Sequence, residues 1–369
     1  IAIDQARPDT VWVGTGETCV RNSVTVGTGL YKTTDGGDNW VLVGFKDSER
    51  ISKIVIDPTN SDVVYVGVLG HLWNDHPERG VYKTTDGGKT WTQLLYADTR
   101  TGCADLVMDP KNSSTLYAAM WEFRRSAFFF ESGGKSSALY KSTDAGKTWR
   151  KLTTGLPTGT LGRIGLAISP VATNHIFATV ESEKNAIYHS SDYGESWSKG
   201  NAGFNQSVRP FYFSHVVADP VDSLRFYKLG LTLTVSDDGG QSFTTPFRGG
   251  GEVHGDLHAL WINPHDKNYM VLGTDGGAYI SNDRGNTWKA FQNLPLSQCY
   301  RVHVDMESPY RVYIGLQDNG TWYAPSRSAN GINNKDWKPI GFGDGFHLVR
   351  DPADKENIYW QLQGGLFFR

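Results

Sequence analysis

A β-propeller of four-stranded antiparallel blades is the all-β fold this sequence predicts, and three observations predict it. A short pattern ending in an aromatic residue recurs six times, and a second pattern, two apolar runs joined by a turn at proline, recurs in phase with it. The composition adds the third: 42 Gly, 12 Trp, 17 Tyr and 17 Phe against 4 Met in 369 residues. Aromatic and β-branched residues suit a pleated, half-buried surface.

The first pattern runs Tyr31-Lys-Thr-Thr-Asp35-Gly-Gly-Asp-Asn-Trp40 and returns around Asp86, Asp144, Asp192, Asp238 and Asp283, each copy ending in Trp or Phe. Successive aspartates lie 45 to 58 positions apart, and a decayed seventh copy ends at Trp337. The second pattern turns at Pro58, Pro110, Pro170, Pro220, Pro264 and Pro352, with looser versions at Pro8 and Pro309. Self-similarity at this period marks a repeat architecture. The repeats fall near 1–44, 50–96, 103–153, 162–200, 212–247, 257–293, 300–338 and, in part, 346–369, giving seven full repeats and a partial eighth in a single propeller of 7–8 blades.

Each repeat reads as four strands. Strand A is the apolar run before the proline turn and strand B the run after it. Strand C carries the Tyr and ends at the aspartate, and strand D begins at the Trp. Within the aspartate turn the carboxylate can accept backbone N–H groups, and glycine supplies the positive φ. Asp35, Asp86, Asp144, Asp192, Asp238 and Asp283 are therefore structural, and Trp40, Trp91, Trp149, Trp197 and Trp288 pack between sheets. A stack of β-sandwiches would show no echo of this period.

Other readings bound the function. A net charge of −3 excludes nucleic-acid or anionic-membrane binding by bulk charge. Even the longest apolar runs are short, as at 127–130, which excludes a membrane-spanning helix. Cys19, Cys103 and Cys299 form no disulfide framework; one pair with a spare thiol and three free thiols both fit. The chain opens Ile-Ala-Ile-Asp and reads as a fragment of a longer one. No phosphate loop, nucleophile elbow or zinc-type Cys/His spacing occurs.

The aspartate turns resemble the Asp-box (BNR) repeats of sialidases, sortilins and two-propeller xyloglucan-cleaving glycosidases. Several runs, among them Val13-Gly-Thr-Gly-Glu17, Leu316-Gln-Asp-Asn-Gly320 and Gly343-Asp-Gly-Phe346, resemble secreted bacterial proteins labelled "glycosyl hydrolase, BNR repeat" or "sortilin-like". The resemblance covers nearly the whole chain and implies placement outside the cytoplasm. It is specific for fold and poor for function, because such repeats sit on enzymes and binders alike.

In an up-and-down blade the proline turns and aspartate turns share one end, so a site is expected at the other, among the B–C connections and near the start of strand A. Three of those connections are long: 16–28, 70–79 and 122–137. In or beside them lie the ligand-binding candidates Glu17, Arg21, His71, Trp73, Arg79, Trp121 and Arg124. Arg163, Tyr212, Tyr300 and Arg301 join them from near strand A. Aromatic and Arg side chains beside carboxylates suit a glycan or a protein segment equally. A sialidase-like site would need converging arginines, and Arg50, Arg163, Arg209 and Arg301 are placed for it. The repeat number, however, exceeds the six blades of sialidases.

For glycoside hydrolysis two carboxylates must flank one bond. Asp275, in Gly273-Thr-Asp275-Gly-Gly-Ala-Tyr279, resembles the turn that carries a catalytic Asp in the xyloglucan-cleaving group, and Asp318 occupies the corresponding turn one repeat on. Glu17 and Asp256 are weaker candidates. That group sets its acid and base on two different propellers. His254, Asp256 and His258 give spaced ligands for a divalent metal; otherwise no cofactor is expected. Three functions follow: a scaffold binding a glycan or protein outside the cytoplasm, a glycoside hydrolase, and a structural subunit of an extracellular assembly, each open to further domains of the same chain.

Overall fold

A computed structural model describes residues 1–21, 24–246, 253–294 and 296–369. Asn22 and Ser23, in the first long connection, and the end expected for the fifth repeat at 247 lie outside these.

Among the described residues eight antiparallel sheets follow one another in chain order, most strands pairing with their neighbours in sequence. The first holds Ala2–Ile3, Val11–Gly14, Leu30–Thr33 and Val41–Gly44. The second holds Ile51–Asp57, Asn60–Val68, Gly80–Thr84 and Thr92–Leu95. The third is built on Thr101–Asp109, Asn112–Arg125, Ala138–Ser142 and Arg150–Leu152, and the fourth on Ile164–Ile168, Ile176–Val180, Ala186–Ser190 and Ser198–Lys199. The fifth has three strands, Val216–Ala218, Phe226–Lys228 and Thr234–Ser236, with a bridge from Val235 to Thr244 standing for a fourth. The sixth runs Leu257–Asn263, Asp266–Thr274, Gly277–Ser281 and Lys289–Ala290, and the seventh Cys299–Val304, Arg311–Leu316, Thr321–Pro325 and Lys338–Gly341. The eighth stops at its third strand, with Leu348–Arg350, Ile358–Leu362 and Leu366–Phe368. The architecture is thus that of propeller blades, as the repeats predict. Among the described residues the only α-helix is the single turn Phe204–Ser207, and no helix is long and apolar enough to cross a membrane.

The chain divides into two compact units. One comprises Ile1–Gly250, Gly255–Leu272 and Ser281–Thr287; the other comprises Gly251–His254, Gly273–Ile280 and Trp288–Arg369.

The aspartate turns show why the motif recurs. The Thr33 hydroxyl donates to the Asp35 carboxylate at 2.6 Å and accepts the Gly37 N–H at 3.1 Å, while the Asn39 N–H donates to Asp35 at 3.0 Å. The same arrangement holds at Asp86, Asp144, Asp192, Asp238 and Asp283. The two positions after each aspartate lie at positive φ, including the non-glycine Ala145 (58°), Tyr193 (61°) and Arg284 (60°). Hydrogen bonds hold the carboxylates strongly acidic. At Asp144 the Thr148 hydroxyl is the largest cause, with the Thr148 N–H and Ser142 behind it, and the pKa falls to about 2.

Consecutive sheets in the first unit bury an apolar layer between them. Trp12, Leu30 and Phe45 meet Val64, Val66 and Val68, with Trp91 against them and its indole N–H donating to the Val43 carbonyl at 2.8 Å. Tyr117, Leu139 and Leu152 meet Ile164, Leu166, Ile176 and Trp197 in the same way. Trp40 departs from the expectation: it is 44% exposed. Trp91 and Trp197 each pack on the sheet before their own.

Candidate functional site

In the first unit the three long connections are knitted together from beneath. Val20 from the first, Leu69 and Leu72 from the second, and Trp121 and Phe123 from the third form one buried cluster, with Phe130 and Phe211 packed against it. The third connection is partly strand and not loop. Asn112–Arg125 continues past its sheet and pairs with Phe130–Ser132 through Phe123↔Ser132 and Arg125↔Phe130. The apolar, alternating character of 119–125 is the signal for that hairpin.

Several binding candidates turn out to build this platform. Trp121 is fully buried, stacked on Phe123 with centroids 4.5 Å apart, its indole N–H donating to the Ser132 hydroxyl. No face of it is left for a ligand. Arg79 is also fully buried. Its guanidinium donates to the carbonyls of Leu69 (2.6 Å), His71 (2.5 Å) and Asn74 (3.3 Å), and burial lowers its pKa to about 10. Arg50 and Arg163 repeat the device: Arg50 donates to the Glu17 carbonyl at 3.1 Å, and Arg163 to those of Thr18 (2.6 Å) and Phe211 (3.0 Å). Loop carbonyls that no strand can satisfy need such donors. Two of the arginines placed for a sialidase-like site thus hold backbone.

The other candidates range from exposed to buried. Trp73 is 49% exposed, and Phe128 and Phe129 at the hairpin tip are 96% and 59% exposed. Arg21 pairs with Glu17 at 3.5 Å, and Arg124 pairs with Asp75. His71 bonds Asn74 and the Asp47 carbonyl and stacks on His76. Tyr212 is buried edge-on against His258, with centroids 5.2 Å apart. Asp256 adopts φ 56° just before the strand that carries His258, and these two belong to the first unit while His254 belongs to the second.

The second unit brings Asp275 and Asp318 together: they present carboxylate oxygens within 4.8 Å of each other, and both residues are half-buried. The backbone between them is tied by side chains. The Asn319 amide donates to the Asp275 carbonyl at 3.1 Å, the His254 imidazole bonds the Asp318 carbonyl at 3.0 Å, and the Asp318 N–H donates to the Asp344 carboxylate at 2.9 Å. Asp318 sits at φ 59°. A Cβ on Gly276 would lie 2.3 Å from that of His254, so glycine lets the Asp275 turn close over the imidazole. Tyr300 stacks on Phe346 at 5.2 Å, and Arg301 extends toward His347 with its Nε 3.4 Å from the ring nitrogen. Sequence reading singled out both aspartates; it did not foresee Asn319, Asp344 and His254 as the groups that set their backbone.

Comparison with known proteins agrees with this architecture. The family described as "Sortilin-Vps10: Sortilin, neurotensin receptor 3" matches residues 28–158. A xyloglucanase from Paenibacillus sp is 27% identical over 187 residues, which cover 45% of this chain and 17% of that protein. The chain therefore matches under a fifth of that relative's length. Among solved structures, an ancestral GH74 enzyme aligns with a TM-score of 0.56 at 17% identity, over 85% of this chain and 43% of its own. YCF48 from Cyanidioschyzon merolae aligns at 0.51 and 17%, over 85% and 90%. The chain is built on the β-propeller fold, sortilin-like over residues 28–158 and similar to glycosyl hydrolases of the GH74 type.

Proposed function

We propose that this chain recognises a glycan outside the cytoplasm, through the paired carboxylates of Asp275 and Asp318 in the second unit. The observation that carries the reading is the approach of those two half-buried carboxylates to within 4.8 Å. Two acceptors at that spacing can take hydrogen bonds from neighbouring hydroxyls of one sugar ring. The xyloglucanases among the relatives make xyloglucan the first ligand to try. Calorimetric titration of the chain with xyloglucan oligosaccharides tests the reading: saturable binding supports it, and no binding to these or to a panel of plant and bacterial glycans removes it.

A second reading, hydrolysis, draws on the same pair of carboxylates. Retaining glycosidases hold their two carboxyl groups about 5–5.5 Å apart. Asp275 and Asp318 would then divide the roles of acid and nucleophile. Release of reducing ends from xyloglucan, lost in Asp275→Asn, separates an enzyme from a binder.

A further inference from the structure

In the second unit, the first strands of the seventh and eighth sheets are introduced by the same kind of dipeptide, an aromatic residue and then a basic one: Tyr300-Arg301 and Phe346-His347. The aromatic members stack, with centroids 5.2 Å apart and planes 22° from parallel. The basic members meet beside them, the Arg301 Nε donating to the His347 Nε2 at 3.4 Å. The Arg301 Nη1 donates to the Tyr300 carbonyl at 3.0 Å. Two bonds thus orient a guanidinium that is itself exposed, and its Nη2 has no hydrogen-bond partner among the described residues.

Local geometry accounts for that exposure. Cys299 pairs with Leu316 and Arg301 with Gly315, so Tyr300 forms a bulge, and a bulge re-aims the side chains beside it. A Cβ on Gly315 would lie 2.3 Å from the Gly345 carbonyl oxygen, so glycine lets the two sheets approach here. Arg50 and Arg163 also stand near strand starts, yet both are buried and spend donors on carbonyls of the first long connection. The matching connection in the seventh sheet is the short turn 317–320, and Arg301 bonds none of its carbonyls. Arg350 pairs with Asp305 and Glu307, whereas Arg301 pairs with no carboxylate among the described residues.

The short turn carries Asp318. The Gln317 N–H donates to the Gln298 carbonyl at 2.9 Å, the Gly345 N–H to the Leu316 carbonyl at 2.9 Å, and the Asp318 N–H to the Asp344 carboxylate at 2.9 Å. The segments that lead into Arg301 and His347 therefore clamp the turn that brings Asp318 to Asp275. Carboxylates accept sugar hydroxyls. An oriented guanidinium holds a planar carboxylate through parallel N–H···O bonds, and the orienting bonds reduce the ordering cost of binding.

We infer that Arg301, oriented by His347, is a specificity-determining residue of this site and that the glycan it selects carries a carboxylate, as a uronic acid does. This assignment rests on the glycan reading of Asp275 and Asp318 and adds the charge of the sugar. A glycan is favoured over an acidic peptide because the paired aspartates accept ring hydroxyls and repel a run of acidic side chains.

The test is calorimetric titration of the whole chain with glucuronoxylan oligosaccharides and with oligogalacturonides, each beside its carboxyl-reduced counterpart, in which every uronic acid has become the neutral sugar. The acidic member of at least one pair is expected to bind at least ~10-fold more tightly than the reduced one. Added salt should narrow the gap. Arg301→Gln, at an exposed position, should leave the unfolding midpoint in place and abolish the preference. Arg301→Lys, which keeps the charge and loses the planar fork, should retain only part of it. Equal affinity for both members of each pair, or a preference that survives Arg301→Gln, overturns the inference while the glycan reading stands. A chain that binds none of these and no neutral xyloglucan oligosaccharide loses the glycan reading as well. Arg301-dependent binding of poly-glutamate without binding of any acidic glycan overturns the inference in favour of an acidic peptide.

Discussion

The hydroxyl of Tyr117 donates to the carbonyl oxygen of Tyr193 at 2.8 Å, joining the second strand of the third sheet to the aspartate turn of the fourth. Tyr65 makes the same bond to Ala145 one sheet earlier, at 3.1 Å. Lysines reinforce the joint: Lys32 donates to the Gly87 carbonyl, Lys83 to that of Ala145 and Lys141 to that of Tyr193. Each acceptor is the residue after a box-type aspartate, turned outward by its positive φ. The strained turn therefore aims a carbonyl at the preceding sheet. Tyr117→Phe is expected to cost about 1 kcal/mol in denaturant unfolding. Lys141→Met should cost more, about 1–3 kcal/mol, because Glu195 loses the same ammonium.

The joint explains what was legible in the sequence and what was not. The aspartates, glycines and most box tryptophans act within one turn or at the next sheet face, so their spacing gave them away. The lysine of Tyr-Lys-Thr-Thr-Asp recurs in the first three copies, yet its acceptor is a carbonyl about fifty residues on, which no local pattern announces. The backbone bonds of Arg79 and Arg163 were not legible for a related reason. An arginine in a long polar loop looks the same whether its guanidinium faces a ligand or backbone carbonyls. Asp275 and Asp318 could be picked from their turns, but their approach depends on pairing between distant strands.

Arg79→Met is expected to destabilise the first unit by about 2–4 kcal/mol, since it strands the carbonyls of Leu69, His71 and Asn74 in the interior. Thermal unfolding checks this. Glycan affinity at temperatures where the variant is folded should not change.

Acid should weaken the fold in two separate windows. His189 is held at about 4 by burial, with the neighbouring His175 adding to it. Its unfolded counterpart takes a proton near 6.5. The neutral imidazole therefore contributes fully above about pH 6.5, and that contribution, roughly 2 kcal/mol, is lost as pH falls toward 4. His189→Phe should flatten unfolding free energy across that window.

The aspartate turns act lower. Asp144, Asp192 and Asp238 titrate at about 2 in the folded chain, below the ordinary carboxylate value. Their hydrogen bonds are whole above about pH 4 and are lost as pH falls through 2. Thr148→Val removes the hydroxyl that contributes most to Asp144, so it should lower the melting temperature by a few degrees at neutral pH and by less near pH 2.

Asp275→Asn and Asp318→Asn put the glycan reading to its most direct test. The measurement is calorimetric titration of the parent and both variants with xyloglucan oligosaccharides, alongside their unfolding midpoints. The expected result is saturable binding by the parent and a loss of at least ~10-fold in affinity in each variant, with midpoints unchanged. Binding that survives both substitutions at full strength, or a folded parent that binds no xyloglucan and no other glycan, would contradict it.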